Sequence, residues 1–273
     1  MNGFSRNILR GYAHIPGIWI LGLILFFLVL LPQGTADAAS ITKGAQRYVL
    51  ENGLTVILKE DPAVPVTAIQ VWVKTGSANE TAAEAGITHL IEHMIFKGTP
   101  DLEKGEIARR IESSGGRINA YTSYDRTVYF VEIPGDHFGT GLRGLLDAVH
   151  HAVFDPEELR REKEVVLEEY RRSLDLPERQ LGWDLMGLAY NKHPYGRPII
   201  GRESTIRAID RDMILHYMDK WYTPENMVVV AVGDMDAQKA LEEIKDLTKD
   251  FPREDGHKRE RPVEPPQHKL RCS

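Results

Sequence analysis

Two histidines and a glutamate lie close together in the segment His89-Leu90-Ile91-Glu92-His93. If this segment is helical, positions i, i+3 and i+4 project from one face, so His89, Glu92 and His93 converge. Two imidazoles spaced by one helical turn can occupy two tetrahedral positions on zinc, which leaves the carboxylate between them free to act on a water molecule. The spacing therefore predicts a hydrolytic zinc site.

The motif lies in a predicted helix from about Ala85 to Phe96, and Gly98 follows that helix as a stop signal. The other positions are nearly all apolar, so the helix should be buried on most sides. A buried helix does not normally carry three converging ionisable groups unless a metal or a charged partner offsets their desolvation. A polar face on an amphipathic surface helix fits this pattern less well. The apolar positions are Ile87, Leu90, Ile91, Met94, Ile95 and Phe96.

A catalytic zinc ion also needs a third protein ligand. One candidate source is a helix that Asp155 caps, with Pro156 at its first position, and that can run to about Leu174. Glu162 and Glu169 are seven positions apart on it and share a face, whereas its other glutamates in this stretch point elsewhere. Periodicity alone therefore leaves Glu162 and Glu169 both open as the third ligand.

Composition excludes several classes of protein. The chain has 273 residues, of which 42% are hydrophobic and 27% charged, as in an ordinary globular protein. Its formal net charge of -6 and the lack of a visible basic face argue against nucleic acid as a partner. The single cysteine, Cys272, excludes an intrachain disulfide and a multi-cysteine metal site, so any metal must be bound by histidine and carboxylate.

The elements around the motif predict an α+β fold. Asn52-Gly53 joins two β-rich runs, residues 47–50 and 54–58, and is a strong hairpin signal. Early strands, helices between them and one late buried strand indicate a two-layer sandwich with a largely antiparallel or mixed sheet and helices on one face, over residues 45–250. Further strands are predicted at 66–73, 117–133 (as one or two strands) and 227–232, and further helices at 102–113, 138–153, 181–190, 205–221 and 237–249.

The two ends of the chain differ from this domain. Residues 1–38 combine two early arginines, an apolar run at 18–31 and a small-residue end, which is typical of a secretory signal peptide. The alternative is an uncleaved anchor in the inner membrane, although 18–31 is short for a bilayer span. Either interpretation predicts an exported protein, in a bacterial periplasm. Residues 251–273 are rich in proline and charge and predict a linker or tail.

Several motifs together resemble those of the pitrilysin-type (M16) zinc metallopeptidases, which include the mitochondrial processing peptidases and their bacterial relatives. His89-x-x-Glu92-His93, followed 76 residues after His93 by Glu169, is similar to the inverted zinc motif of that family. The resemblance covers about residues 45–235, the N-terminal half of a full-length member. Its further matches are Leu50 to Leu54, Phe96 to Thr99, Asn119 to Thr122, Thr127-x-Tyr129 and Asn226 to Asp234.

The resemblance implies a zinc metalloendopeptidase that binds one Zn²⁺ per chain. It implies that His89, His93 and Glu169 are the metal ligands and that Glu92 is the general base. Glu162 is expected to support the zinc site without binding the metal, by orienting a ligand or compensating charge. It also implies that an extended peptide adds to the strand containing Asn119, Ala120 and Tyr121. Without the resemblance, the sequence predicts only an ordinary structural role in a strand for those three residues.

Full-length members have two homologous halves, and this chain matches one of them. The expected partners are therefore a peptide or protein substrate and either a second copy of this chain or a separate second-half protein. Two alternatives remain beside the active peptidase: a zinc-binding half that is inactive until it is paired, and a non-catalytic peptide-binding subunit. A zinc lyase with the same inverted spacing would need a cysteine near the metal, and Cys272 lies in the tail.

Overall fold

A computed structural model of the chain describes residues 42–251 and 261–272. From Gly44 onward these residues belong to one compact unit. The predicted signal segment 1–38, with its apolar run at 18–31, lies outside the described residues. None of the helices that the structure describes combines the length and the hydrophobicity needed to cross a bilayer.

The strands form a mixed six-stranded sheet in the order β1-β2-β6-β3-β5-β4. Strand β6 pairs in parallel with β2, and all other neighbours are antiparallel. The hairpin predicted at Asn52-Gly53 is confirmed, with Val49 opposite Thr55. The strands are β1 (Gln46–Val49), β2 (Thr55–Glu60), β3 (Val66–Val73), β4 (Arg117–Thr122), β5 (Thr127–Pro134) and β6 (Met227–Gly233).

Eight α-helices lie among the described residues. Asp155 caps the longest of them as predicted, because its carboxylate accepts hydrogen bonds from the backbone N–H groups of Glu157 and Glu158 at 2.9 and 3.0 Å. The helices are α1 (Ile87–Met94), α2 (Glu106–Ser113), α3 (Phe138–His151), α4 (Pro156–Leu174), α5 (Pro177–Ala189), α6 (Glu203–Ala208), α7 (Arg211–Trp221) and α8 (Ala237–Thr248).

Three predicted helix boundaries are wrong. The single helix expected at 205–221 is two helices, because the Asp210 carboxylate accepts from the N–H of Met213 at 2.8 Å and so starts α7 separately. The helix expected from residue 102 begins at Glu106, after Gly105 in the left-handed region at φ +77°. Helix α5 begins at Pro177, four residues before the expected start, since proline is well suited to the first helical turn.

The core lies between one face of the sheet and the helices. Helix α3 packs against β3 and β5, α8 packs against β2, and α1 and α2 pack against β4. Along β3 and β6 every second residue is buried on the helical side, while the alternate residues are only partly covered. The predicted α+β fold with a mixed sheet is confirmed.

Two further contacts hold α1 in place. Helix α4 packs against α1. Gly86 precedes α1 with φ +98°, and a side-chain Cβ at this position would lie 2.6 Å from the carbonyl oxygen of Ile200. Glycine is therefore required for the chain to enter α1 against the segment at Ile200.

Candidate metal site

The structure brings together the three side chains that the family resemblance assigns as metal ligands. Glu169 Oε2 on α4 lies 3.7 Å from Nε2 of His89 and 3.5 Å from Nε2 of His93, both on α1. One ligand atom from each of the three residues lies within 4.8 Å of the other two. Among the described residues this is the one group of three or more histidine, cysteine or acidic side chains with such spacing.

The donor set and its spacing fit a zinc ion. Ligand atoms bonded to zinc at 2.0–2.2 Å in tetrahedral directions lie about 3.4 Å apart, close to the 3.5 and 3.7 Å that separate Glu169 Oε2 from the two histidine nitrogens. Two imidazoles and one carboxylate leave a fourth position open, as catalytic zinc sites require. The side chain of Glu169 is 37% exposed, so the group of three is in contact with solvent.

The two imidazoles have different environments. Burial, with a smaller contribution from neighbouring His93, lowers the pKa of His89 to about 4, so His89 is neutral and ready to bind a metal. Burial also lowers the pKa of His93, but hydrogen bonds from its ring to Glu162 and Glu169 outweigh burial and raise the pKa to about 9. A metal at neutral pH must therefore displace a proton from His93.

Glu162 lies behind His93, on the same face of α4 as Glu169. Its Oε1 is 3.0 Å from Nδ1 of His93, and its Oε2 is 2.8 Å from Nζ of Lys97. Burial raises the pKa of Glu162, but the hydrogen bonds to His93 and Lys97 outweigh this and lower it overall. An ionised Glu162 thus favours the His93 tautomer whose Nδ1 carries hydrogen and whose Nε2 faces the metal position.

Glu92 lies on the same face of α1 but outside the group of three. Its Oε2 accepts a hydrogen bond of 2.5 Å from the hydroxyl of Thr122, at the end of β4. Burial raises the pKa of Glu92 above its usual value. A carboxylate with a raised pKa is a stronger base, which suits proton transfer from water.

Strand β4, which contains Asn119, Ala120 and Tyr121, is the last strand of the sheet and pairs with β5 on one side. Burial alternates along it, with Asn119 and Tyr121 more exposed than Ala120, which packs against the core. The N–H of Ala120 donates to Oδ1 of Asn119 at 2.8 Å. The structure therefore places these residues at a sheet edge that reaches Glu92 through Thr122.

Sequence reasoning missed two residues of this site. Lys97 follows His93 by four positions, so helical spacing could at most have placed it on the side of His93. Its contact with Glu162 is a contact to another helix, which spacing within one segment does not indicate. Thr122 follows Ala120 by two positions and so shares its face of the strand. No sequence pattern indicates that its hydroxyl reaches Glu92, because that contact depends on how α1 packs on β4.

Two imidazoles and a carboxylate around one point, with a second carboxylate beside them, are groups that mononuclear metal-dependent hydrolases use. Comparison with known proteins identifies the family. Residues 55–203 match the family model "Insulinase (Peptidase family M16)", and residues 208–272 match "Peptidase M16 inactive domain". The chain belongs to peptidase family M16, which confirms the family resemblance.

The chain is similar to proteins about twice as long. It is 38% identical over 191 residues to the zinc protease YmxG of Bacillus subtilis, covering 70% of this chain and 46% of that protein. It is 33% identical over 188 residues to the beta subunit of the mitochondrial-processing peptidase of Blastocladiella emersonii, covering 68% of this chain and 40% of that subunit. The chain therefore spans about half the length of these relatives.

Solved structures also match this chain over about half of their own length. A protease from Helicobacter pylori matches with a TM-score of 0.76 and 29% identity, over 81% of this chain and 53% of that protein. The first half of the periplasmic protease PqqL from Escherichia coli matches with a TM-score of 0.72 and 29% identity, over 82% of this chain and 49% of the other.

The boundary between the two matched family models does not divide the fold. The second model begins at residue 208, yet β6 (Met227–Gly233) lies between β2 and β3 in the same sheet. Residues of both matches therefore share one core. The domain limits predicted from the sequence, 45–250 and 251–273, stay predictions.

Proposed function

We propose that the chain is the metal-binding half of a zinc metalloendopeptidase that hydrolyses extended peptides or unfolded proteins. The observation that carries this proposal is the convergence of His89, His93 and Glu169, with Glu92 beside them. Membership of family M16 and the similarity to zinc proteases support it. In this proposal each chain binds one Zn²⁺.

The protein residues have separate roles in the proposed reaction. Bound by His89, His93 and Glu169, zinc would supply a Lewis acid and lower the pKa of water at the site. Glu92 takes a proton from the attacking water and passes it to the leaving amine. Thr122 keeps the Glu92 carboxylate in place through their hydrogen bond of 2.5 Å.

The proposed substrate adds to the free edge of β4. An edge strand presents backbone N–H and C=O groups that an extended peptide can pair with, so the main chain is recognised more than the side chains. The Ala120 N–H donates to Oδ1 of Asn119. A peptide that pairs here must therefore either displace the Asn119 carboxamide from this N–H or pair through other backbone groups of β4. Because Thr122 ends the same strand, a peptide paired near Ala120 lies close to Glu92.

The proposed active form needs a second half, from a separate protein or from another copy of this chain. Helix α5 follows the helix of Glu169 and exposes 69% of Leu181 and 63% of Leu185. Large exposed apolar side chains beside an open site indicate a surface that a partner covers. One missing oxyanion donor costs a factor of about 10² to 10³ in rate, so the isolated chain should cleave peptides poorly.

We also propose that the chain is exported to a bacterial periplasm. The support is the signal-like pattern of residues 1–38 together with the similarity to PqqL, which is a periplasmic protease. If residues 18–31 are not removed, the same proposal places the domain at the inner membrane.

Metal analysis and peptide cleavage test the proposal on the mature chain, residues 39–273. The parental chain should contain close to one zinc, and His93→Ala should contain much less. Glu92→Gln should keep zinc yet remove the cleavage that the parental chain shows with a second-half protein. Equal zinc in the parental chain and His93→Ala would overturn the ligand assignment, and parental cleavage by Glu92→Gln would overturn the role of the base. Robust cleavage by the isolated monomer would overturn the need for a second half.

A further inference from the structure

Glu80 is a buried carboxylate that the proposed reaction does not use. It precedes α1 in the chain and is 4% exposed. Its Oε2 accepts from the N–H of Gly86 at 2.9 Å. Its Oε1 accepts from the N–H of Thr88 at 3.0 Å and from the hydroxyl of Thr88 at 2.6 Å. A buried carboxylate with three donors is costly to desolvate, so the contacts that it makes need an explanation.

These contacts replace a helix cap that α1 lacks. The residue before α1 is Gly86, which has no side chain to accept from the free N–H groups of the first turn. Glu80 accepts one of them, from Thr88, although it lies eight positions away in the chain. A negative charge at the start of a helix is also favoured by the helix dipole. Glu80 therefore caps α1 from outside the helix.

The cap is attached to the rest of the fold. The Thr88 hydroxyl lies 3.2 Å from the hydroxyl of Tyr217 on α7, which in turn lies 3.0 Å from Oγ1 of Thr75. The backbone carbonyl of Glu80 accepts from Nη2 of Arg197 at 2.6 Å. A buried network of hydrogen-bonded polar groups favours one arrangement of the fold when every group in it has a partner.

We infer that Glu80 is a positioning residue that determines where α1 begins and thereby where His89 and His93 lie at the metal position. Helix α1 has only 8 residues, and a helix this short is not stable without external contacts. Thr88 directly precedes His89, so a shift of the first turn moves the first proposed ligand directly. The consequence at the metal rests on the proposed function, whereas the effect on α1 does not.

The test compares Glu80→Gln with Glu84→Gln in residues 39–273. Glu84 lies in the same segment, but its carboxylate accepts from the N–H of Thr81 and does not bond to α1. Hydrogen exchange in the metal-free protein at pH 8 should be at least about 10-fold faster in α1 for Glu80→Gln, with α8 unchanged, because exchange reports local opening. Competition with a chelator should show zinc binding about 10-fold weaker, the lower end for residues that orient metal ligands. The Co²⁺-substituted protein should show a changed absorption spectrum, and Glu84→Gln should match the parental chain throughout.

Each outcome decides between positioning and a general contribution to stability. Unchanged exchange in α1, or equal acceleration in α1 and α8, overturns the inference, as does zinc affinity within twofold of the parental value. If the parental chain does not bind zinc, the proposed function fails, while the exchange comparison still decides the role of Glu80. If Glu80→Gln does not fold, Glu80→Asp is judged by the same thresholds. Failure of both to fold also overturns the inference.

Discussion

Replacing Glu162 with glutamine should weaken zinc binding without removing a ligand. Glu162 Oε1 lies 3.0 Å from Nδ1 of His93, and its Oε2 lies 2.8 Å from Nζ of Lys97. The amide oxygen of a glutamine can still accept a hydrogen bond from Nδ1 of His93. It lacks the negative charge that strengthens this hydrogen bond and pairs with Lys97. Removing a residue that orients a metal-bound histidine costs about 10- to 100-fold in affinity.

The burial of Glu162 places the expected effect within this range. Only 10% of its side chain is exposed, so water cannot readily replace its partners. We therefore expect zinc binding to weaken by about 30-fold or more, which corresponds to about 2 kcal/mol. Competition with a chelator of known affinity, on residues 39–273, measures this directly.

Glu164→Gln is the matched control, because it removes one negative charge from the same helix. Its carboxylate is 58% exposed and pairs with Arg207 at 3.3 Å, so zinc affinity should stay within twofold. If Glu162→Gln binds zinc as tightly as the parental chain, Glu162 does not orient His93. If both variants weaken binding equally, the effect is one of overall charge, and Glu162 has no specific role in orienting His93.

Three further predictions follow from other contacts. Thr122→Val removes the donor to Glu92; in the cleavage assay with a second-half protein it should lower kcat at least about 10-fold with little change in KM, because the base contributes about 10² to 10⁴ to the rate. Thr122→Ser should restore kcat, and an unchanged kcat for Thr122→Val would contradict the proposed role of Thr122. In a chain ending at residue 251, the N–H groups of Asn191, Lys192 and His193 lose their acceptor, Glu264, at 2.8–2.9 Å. Their hydrogen exchange should accelerate while α8 stays protected, and unchanged exchange would show that Glu264 does not hold this loop. Burial raises the pKa of Glu80 from 4.5 to about 7, so between these pH values the folded chain keeps a proton that the unfolded chain releases. The free energy of unfolding of the metal-free chain should therefore fall as pH rises through this window, by up to ~3 kcal/mol. Urea unfolding of Glu80→Gln should lack this fall, and the same pH dependence in both proteins would refute the prediction.

Local patterns in the sequence predicted most of the elements that hold the site. Apolar spacing around His89, Glu92 and His93 indicated a buried helix, and Asp155 and Pro156 indicated where α4 begins. Asn52-Gly53 indicated the first hairpin. These predictions succeeded because hairpin turns, helix caps and amphipathic periodicity depend on residues a few positions apart.

Boundaries failed where a local side-chain contact competed with the pattern. The apolar spacing of 205–221 continues through Asp210, yet its carboxylate caps α7 and separates it from α6. At Gly105 the cause is the backbone instead, because this glycine lies in the left-handed region directly before α2. Periodicity alone does not show which of two local hydrogen-bonding arrangements is more stable.

Tertiary structure decided the relations between distant segments. Helical period left Glu162 and Glu169 equivalent, whereas the packing of α4 on α1 puts Glu169 near Nε2 of both histidines and Glu162 near Nδ1 of His93. The insertion of β6 between β2 and β3 likewise joins segments more than 150 positions apart. Spacing along the chain is enough to show which side chains share a helix face or a strand. The packing of α1 between β4 and α4 decided which of them meet, because that geometry depends on the whole buried core.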